Sequence, residues 1–178
     1  MAFLGTWRSK IGSILLKRKL QKQSTKRRTL AFDKIKTIAL LAEGMDAEHE
    51  ELSKLVRKVF GNDIKINWIW IKKEKESQLA EQENILLLDS KSSNFFYQVK
   101  EDVLNTFNKQ QNEVIVCLEN NPSPVLVNLL ALSKADFRVG YMSEHEFSFE
   151  LMLDMNGNDS KEQFIRTAYD YIKLMNPS

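Results

Sequence analysis

Chemistry leaves three kinds of mark on a sequence: a glycine-rich cradle for phosphate, a spaced set of metal ligands, or a nucleophile beside a base. A phosphate cradle needs glycine because only a backbone without Cβ lets N–H groups close on the anion. This chain of 178 residues has six glycines, at Gly5, Gly12, Gly44, Gly61, Gly140 and Gly157. None has the spacing of a Walker loop or a dinucleotide fingerprint. The turn Glu43-Gly44-Met45-Asp46 also carries acids, which repel a pyrophosphate. No nucleotide and no other cofactor is expected.

The single cysteine, Cys117, lies in the apolar run Val114-Ile115-Val116-Cys117-Leu118. It reads as a core thiol rather than a nucleophile, and it excludes a disulfide within the chain. His49 stands among Glu48, Glu50 and Glu51, the surroundings of a solvated helix face. His145 lies between Glu144 and Glu146, a set able to hold a metal, but no second ligand segment accompanies it and no metal site is expected. Glu43, Gly44, Asp89, Ser90, Glu119, Asn120 and Asn121 fall just after predicted strands, where open α/β sheets gather ligands. Polar turns that cap helices are the ordinary explanation of such residues. Asp89 and Glu119 are the carboxylate pair to examine there. Trp68 and Trp70 share a strand face at period two, so core burial is preferred to a base-stacking platform.

The elements that must position these groups follow from periodicity. Residues 35–42 read as a buried strand, 46–60 as a helix closed by Gly61, and 64–71 as a second strand. Residues 72–84 read as loop, 85–88 as a strand, 98–110 as a helix, and 114–118 as a strand buried on both faces. Pro122 and Pro124 open an apolar helix running to Lys134. Residues 137–140 form a brief strand. Residues 147–153 alternate as an edge strand should, and a helix around Phe164 and Ile172 closes the chain. The order predicts an α/β fold, a Rossmann-like three-layer sandwich with a mostly parallel sheet.

Residues 1–32 differ in kind. They hold nine Lys or Arg and no acid, while in residues 33–178 the 24 acids outnumber the 17 remaining basic residues. The division predicted is a basic N-terminal arm over 1–32 and one α/β domain over 33–178. On a helix over 3–16, Phe3, Leu4, Trp7, Ile11, Ile14 and Leu15 share an arc of about 120°. Arg8 and Lys10 flank it, and Gly5, Thr6, Ser9, Gly12 and Ser13 take the far side. Lys17, Arg18, Lys19, Lys22, Lys26, Arg27 and Arg28 follow as a block expected to be mobile alone in water. The arm has the composition of a mitochondrial transit segment, but no secretory signal and no membrane-spanning run is visible.

The string Ser133-Lys134-Ala135-Asp136-Phe137-Arg138-Val139-Gly140, with Phe149-Glu150-Leu151-Met152-Leu153 and the start Ile11-Gly12-Ser13-Ile14-Leu15-Leu16-Lys17-Arg18, resembles a family of small uncharacterised bacterial proteins, chiefly from Bacteroidota. The resemblance covers nearly the whole chain. It implies a bacterial cytoplasmic protein, disfavours a transit peptide and supplies no catalytic residue. Where that family often has acids at the end of the fourth strand, this chain has Cys117-Leu118 before Glu119. A looser likeness joins Arg138-Val139-Gly140 to the N-terminal half of heptosyltransferase-type glycosyltransferases. It implies the fold, not the activity, because those enzymes bind sugar nucleotide mainly through a second domain that this chain lacks room for.

The length of the basic block makes the first of three functions the expected one, with the other two as alternatives. The first is a noncatalytic RNA- or ribosome-associated protein whose cations Arg8, Lys10, Lys17, Arg18, Lys19, Lys22, Lys26, Arg27 and Arg28 neutralise phosphates. The second is a peripheral membrane protein, or one docking in a protein groove, through the stripe from Phe3 to Leu15. The third is a small enzyme using the polar strand ends.

Overall fold

A computed structural model of the protein describes residues 2–22, 32–73, 79–80, 82–143, 148–155 and 160–174. After helix α1 (Ala2–Lys22) and a 3-10 turn (Phe32–Lys34) come β1 (Thr37–Gly44), α2 (Asp46–Phe60), β2 (Lys65–Lys72), β3 (Ile85–Leu88), α3 (Glu101–Lys109), β4 (Val114–Cys117), α4 (Pro124–Leu132), β5 (Phe137–Tyr141), β6 (Leu151–Leu153) and α5 (Lys161–Leu174). The six strands lie in the order β3-β2-β1-β4-β5-β6, and every pairing is parallel. The expected α/β sandwich is thus present, with the order reversing between β1 and β4.

Alternation along β1 splits the core in two, because successive strand side chains point to opposite faces. Ile38, Leu40 and Ala42 join Leu52, Val56 and Phe60 of α2 and Phe164, Ile165 and Ile172 of α5. Ala39 and Leu41 join Phe107 of α3 and Leu126, Leu129 and Leu130 of α4. Trp68 and Trp70 belong to the first core, at 3% and 0% exposure, as their spacing predicted.

A third cluster adds a layer beyond the sandwich. Leu16 of α1 packs with Val127, Ala131 and Leu132 of α4. Every residue of α4 from Leu126 to Leu132 is buried. A helix apolar all round needs cover on both sides. The sheet supplies one cover and α1 the other. The helix predicted over 3–16 runs on to Lys22, so Lys17 to Lys22 is helical rather than a loose basic block.

Other expectations change in detail. His49 is buried, not solvated. The buried face of α2 repeats as His49, Leu52, Val56 and Phe60, and that phase outweighs the acids beside His49 in sequence. Its ring meets Trp68 and Trp70 edge-on at 4.9 and 5.0 Å. Of the alternating segment 147–153, the described residues 148–153 are strand only over Leu151–Leu153, at the sheet edge where alternation placed it. Phe149 leaves the strand and its ring lies against Gly140, where a Cβ would collide with it.

The string around Arg138 is a lock in the fold. The Arg138 side chain is 1% exposed. Its Nε and Nη2 donate to the two oxygens of Glu150 at 3.1 and 3.0 Å, and Nη1 donates to the Leu130 carbonyl at 2.7 Å. The Arg138 backbone N–H also donates to Glu150, at 2.8 Å. One ion pair therefore ties β5, the segment entering β6 and the C-terminal turn of α4. Removing one member leaves a buried charge unpaired, at a cost of about 3–5 kcal/mol.

Candidate functional site

The strand-order reversal between β1 and β4 is where ligands collect in such folds. Here the chain's own side chains fill it. β1 delivers Glu43, the segment after β4 delivers Glu119, the first turn of α2 delivers Glu48, and α5 begins with Lys161. The Lys161 ammonium donates to the Glu43 carbonyl, to Glu48 and to Glu119, each at 2.8 Å. The Glu43 backbone N–H donates to Glu119 at 2.9 Å, and the Ser123 N–H donates to the Glu43 carboxylate at 3.1 Å.

Burial works against a charged Lys161, but the hydrogen bonds it donates to Glu119 and Glu48 outweigh it and raise its pKa. Two carboxylates, Glu48 and Glu119, meet one ammonium, so the surplus charge is negative and disfavours phosphate. Gly44 earns its place by close approach: a Cβ there would meet the Glu48 carboxylate and the Trp70 ring. Burial pushes the Cys117 thiol up to about 12, too high for a thiolate nucleophile at neutral pH.

The Asp89–Glu119 pair does not form. β3 and β4 are separated by β2 and β1, placing their ends about 14 Å apart at ordinary strand spacing. Asp89 instead orders its own turn, accepting from the Lys91 N–H at 2.8 Å and the Ser92 hydroxyl at 3.0 Å. Ser90, Asn120 and Asn121 are exposed. His145 and its flanking glutamates lie outside the described residues. Among the described residues, no group of three His, Cys, Asp or Glu is placed to hold a metal.

The second site is the outer surface of α1. Its docked face carries Gly12 and Leu16, both buried. Gly12 belongs to the small-residue side, the side the wheel sets opposite the apolar stripe. It abuts the Phe96 carbonyl so closely that a Cβ would collide with it. The stripe is centred about 160° round the helix from Leu16 and so turns away from α4. Ile14 is 54% exposed, while Ile11 and Leu15 are half-buried. Lys10, Lys17, Arg18 and Lys19 are exposed and Arg8 is half-buried. The backbone of Phe3, Leu4, Trp7 and Lys22 is helical, but their side chains, and all of Lys26, Arg27 and Arg28, lie outside the described residues.

Beside α1 stands an aromatic turn that sequence reading passed over. The Asn94 side-chain oxygen accepts from the Phe96 and Gln98 N–H groups at 2.9 and 3.1 Å. Tyr97 is held at φ 60°, a left-handed conformation that costs a tyrosine about 1–3 kcal/mol. Phe95 is 58% exposed. The Arg8 Nε donates to the Phe95 carbonyl at 2.8 Å. Its guanidinium carbon lies 3.9 Å from the Phe95 ring centre and 4.8 Å from that of Tyr97. The available signal was three successive aromatics, Phe95-Phe96-Tyr97, in a polar loop. Lys161 left no comparable mark.

No curated protein and no solved structure matches the chain. A family model matches residues 8–175. The match takes in α1 from Arg8 onward, the sheet, the strand-end network and α5. Helix and sandwich therefore fall within a single family description, and the chain belongs to the family of unknown function DUF6913.

Proposed function

We propose that this protein is a peripheral membrane-binding module, with the outer face of α1 lying in the headgroup layer of an anionic bilayer. The observation that carries this reading is the way α1 is mounted. It is held to α4 through Leu16 and against the Phe96 carbonyl at Gly12, and Ile14 is left exposed on the opposite side. Cations stand on both flanks, Arg8 and Lys19 on one, Lys10 and Lys17 on the other, with no acid in the helix. That arrangement suits a helix lying in an interface. Each cation near an anionic leaflet contributes about 1 kcal/mol. The acidic balance of residues 33–178 favours turning the sandwich away from the lipid.

An RNA- or ribosome-binding role draws on the same cations and on the basic run beyond Lys22. It gives no use to the exposed Ile14, since nucleic-acid interfaces are polar and strongly cationic. No helix among the described residues is long and apolar enough to cross a membrane, so binding is to one leaflet. The strand-end network is read as structural.

Sedimentation of the full chain with vesicles tests the proposal. Binding is expected to phosphatidylcholine vesicles containing phosphatidylglycerol and to fall sharply without it. Ile14→Glu is expected to weaken binding by about tenfold or more without lowering the melting temperature. An unaffected Ile14→Glu variant, or stronger retention on RNA than on vesicles, overturns the reading.

A further inference from the structure

The geometry points to Arg8 as a phosphate receptor: a guanidinium clamped between the turn 94–98 and α1, set to take the phosphate of a phospholipid headgroup. This inference rests on the membrane reading and adds a specific contact to it.

Arginine grips phosphate best when its fork is fixed beforehand, because less rotamer freedom is lost on binding. Arg8 is fixed on three sides, by the Phe95 carbonyl bonded to Nε and by the rings of Phe95 and Tyr97. Those contacts engage the guanidinium face and Nε. Among the described residues, neither terminal nitrogen has a hydrogen-bond partner. They form the edge that takes a phosphate in bidentate fashion.

The turn is organised for this task. Asn94 is bonded to Phe96 and Gln98 through its side chain, and its carbonyl accepts from the Tyr97 N–H at 3.0 Å. Together these bonds hold Tyr97 in its strained conformation. Strain of this kind persists only where surroundings over-determine it, and it concentrates at binding sites. The position on the helix fits as well. Arg8 lies about 80° from the centre of the apolar stripe, at the level of the headgroups when the stripe faces the acyl chains. Phe95, more than half exposed beside it, adds a ring suited to the same interface.

The test compares fork with charge. Arg8→Lys keeps the cation and loses the planar fork. Phe95→Leu keeps an apolar residue and removes a clamping ring. On vesicles containing phosphatidylglycerol, each is expected to weaken binding by about tenfold. The double variant is expected to lose little more than either single, because clamp and fork act as one unit. Lys58→Arg, a change of exposed cation on α2, is expected to bind as the wild type does.

Full affinity in Arg8→Lys, or strictly additive losses, overturns the receptor and leaves the membrane reading standing. Wild-type protein that ignores every vesicle overturns both. A loss matched by a drop in melting temperature assigns Arg8 to stapling α1 and overturns the receptor. Inorganic phosphate releasing the protein from vesicles at low concentration identifies a soluble ligand and overturns the assignment to lipid.

Discussion

A histidine packed edge-on against two indoles and only 7% exposed has little water to share its charge. Burial therefore lowers the pKa of His49, with Asp46 nearby opposing part of the effect, and among the described residues its buried Nε2 has no hydrogen-bond partner. In the unfolded chain the same group titrates near its ordinary value, about 6.5. Protonation thus favours unfolding, so stability is complete above that value and declines as pH falls below it toward the folded pKa. His49→Phe keeps a ring between Trp68 and Trp70 and removes the titration. Chemical denaturation at pH 7 and pH 5 should show the wild type losing more stability than the variant, and parallel losses would refute the assignment. The burial of His49 was present in the sequence, as its place in the repeat with Leu52, Val56 and Phe60. The three glutamates around it masked the phase. Lys161 was not legible, because it reaches Glu43 across 118 positions and no local pattern encodes such a meeting.

Helices α1 and α4 form a unit at the scale of elements. Gly12→Ala probes it, because two effects compete there. Alanine raises intrinsic helicity by about 1 kcal/mol. Its Cβ, however, runs into the Phe96 carbonyl, a backbone atom of a turn already fixed by Asn94. The clash acts on the docked state alone, so amides of α1 should exchange faster with solvent in the variant, although a peptide of residues 2–22 becomes more helical. Slower exchange would show that α1 does not sit against that turn. The strands other than β6, by contrast, were read to within about two residues at each end, since runs such as Val114–Cys117 are buried on both faces and allow no other use. The amphipathic wheel of α1 was also legible. It could not say which face meets the domain, and here the small-residue face does. The clue lay in α4, whose unbroken run of apolar residues required cover on two sides.

For the whole molecule, α1 covers α4, so a contact crosses the change of charge near residue 32. Deleting residues 1–22 is expected to leave the six-stranded sheet in place while uncovering Val127, Ala131 and Leu132, which gather in one cluster with Leu16. The truncated protein should bind a hydrophobic dye and self-associate, as exposed apolar patches do. A monodisperse, dye-silent truncation would mean that α1 is dispensable to the domain. Loss of partner binding on truncation therefore says little about what α1 recognises, and single substitutions at Ile14 and Arg8 are the informative ones. The mounting of α1 also has a consequence in time. The chain is made from its N-terminus, and Val127 follows Leu16 by about 110 residues, or roughly 5–20 s of translation. Both segments emerge from the ribosome with the same lag, so for an interval of that length the helix is outside while its seat is not. A nascent chain stalled before α4 should accordingly show α1 open to crosslinking on all sides, and one stalled well past Leu132 should show it shielded along Gly12 and Leu16.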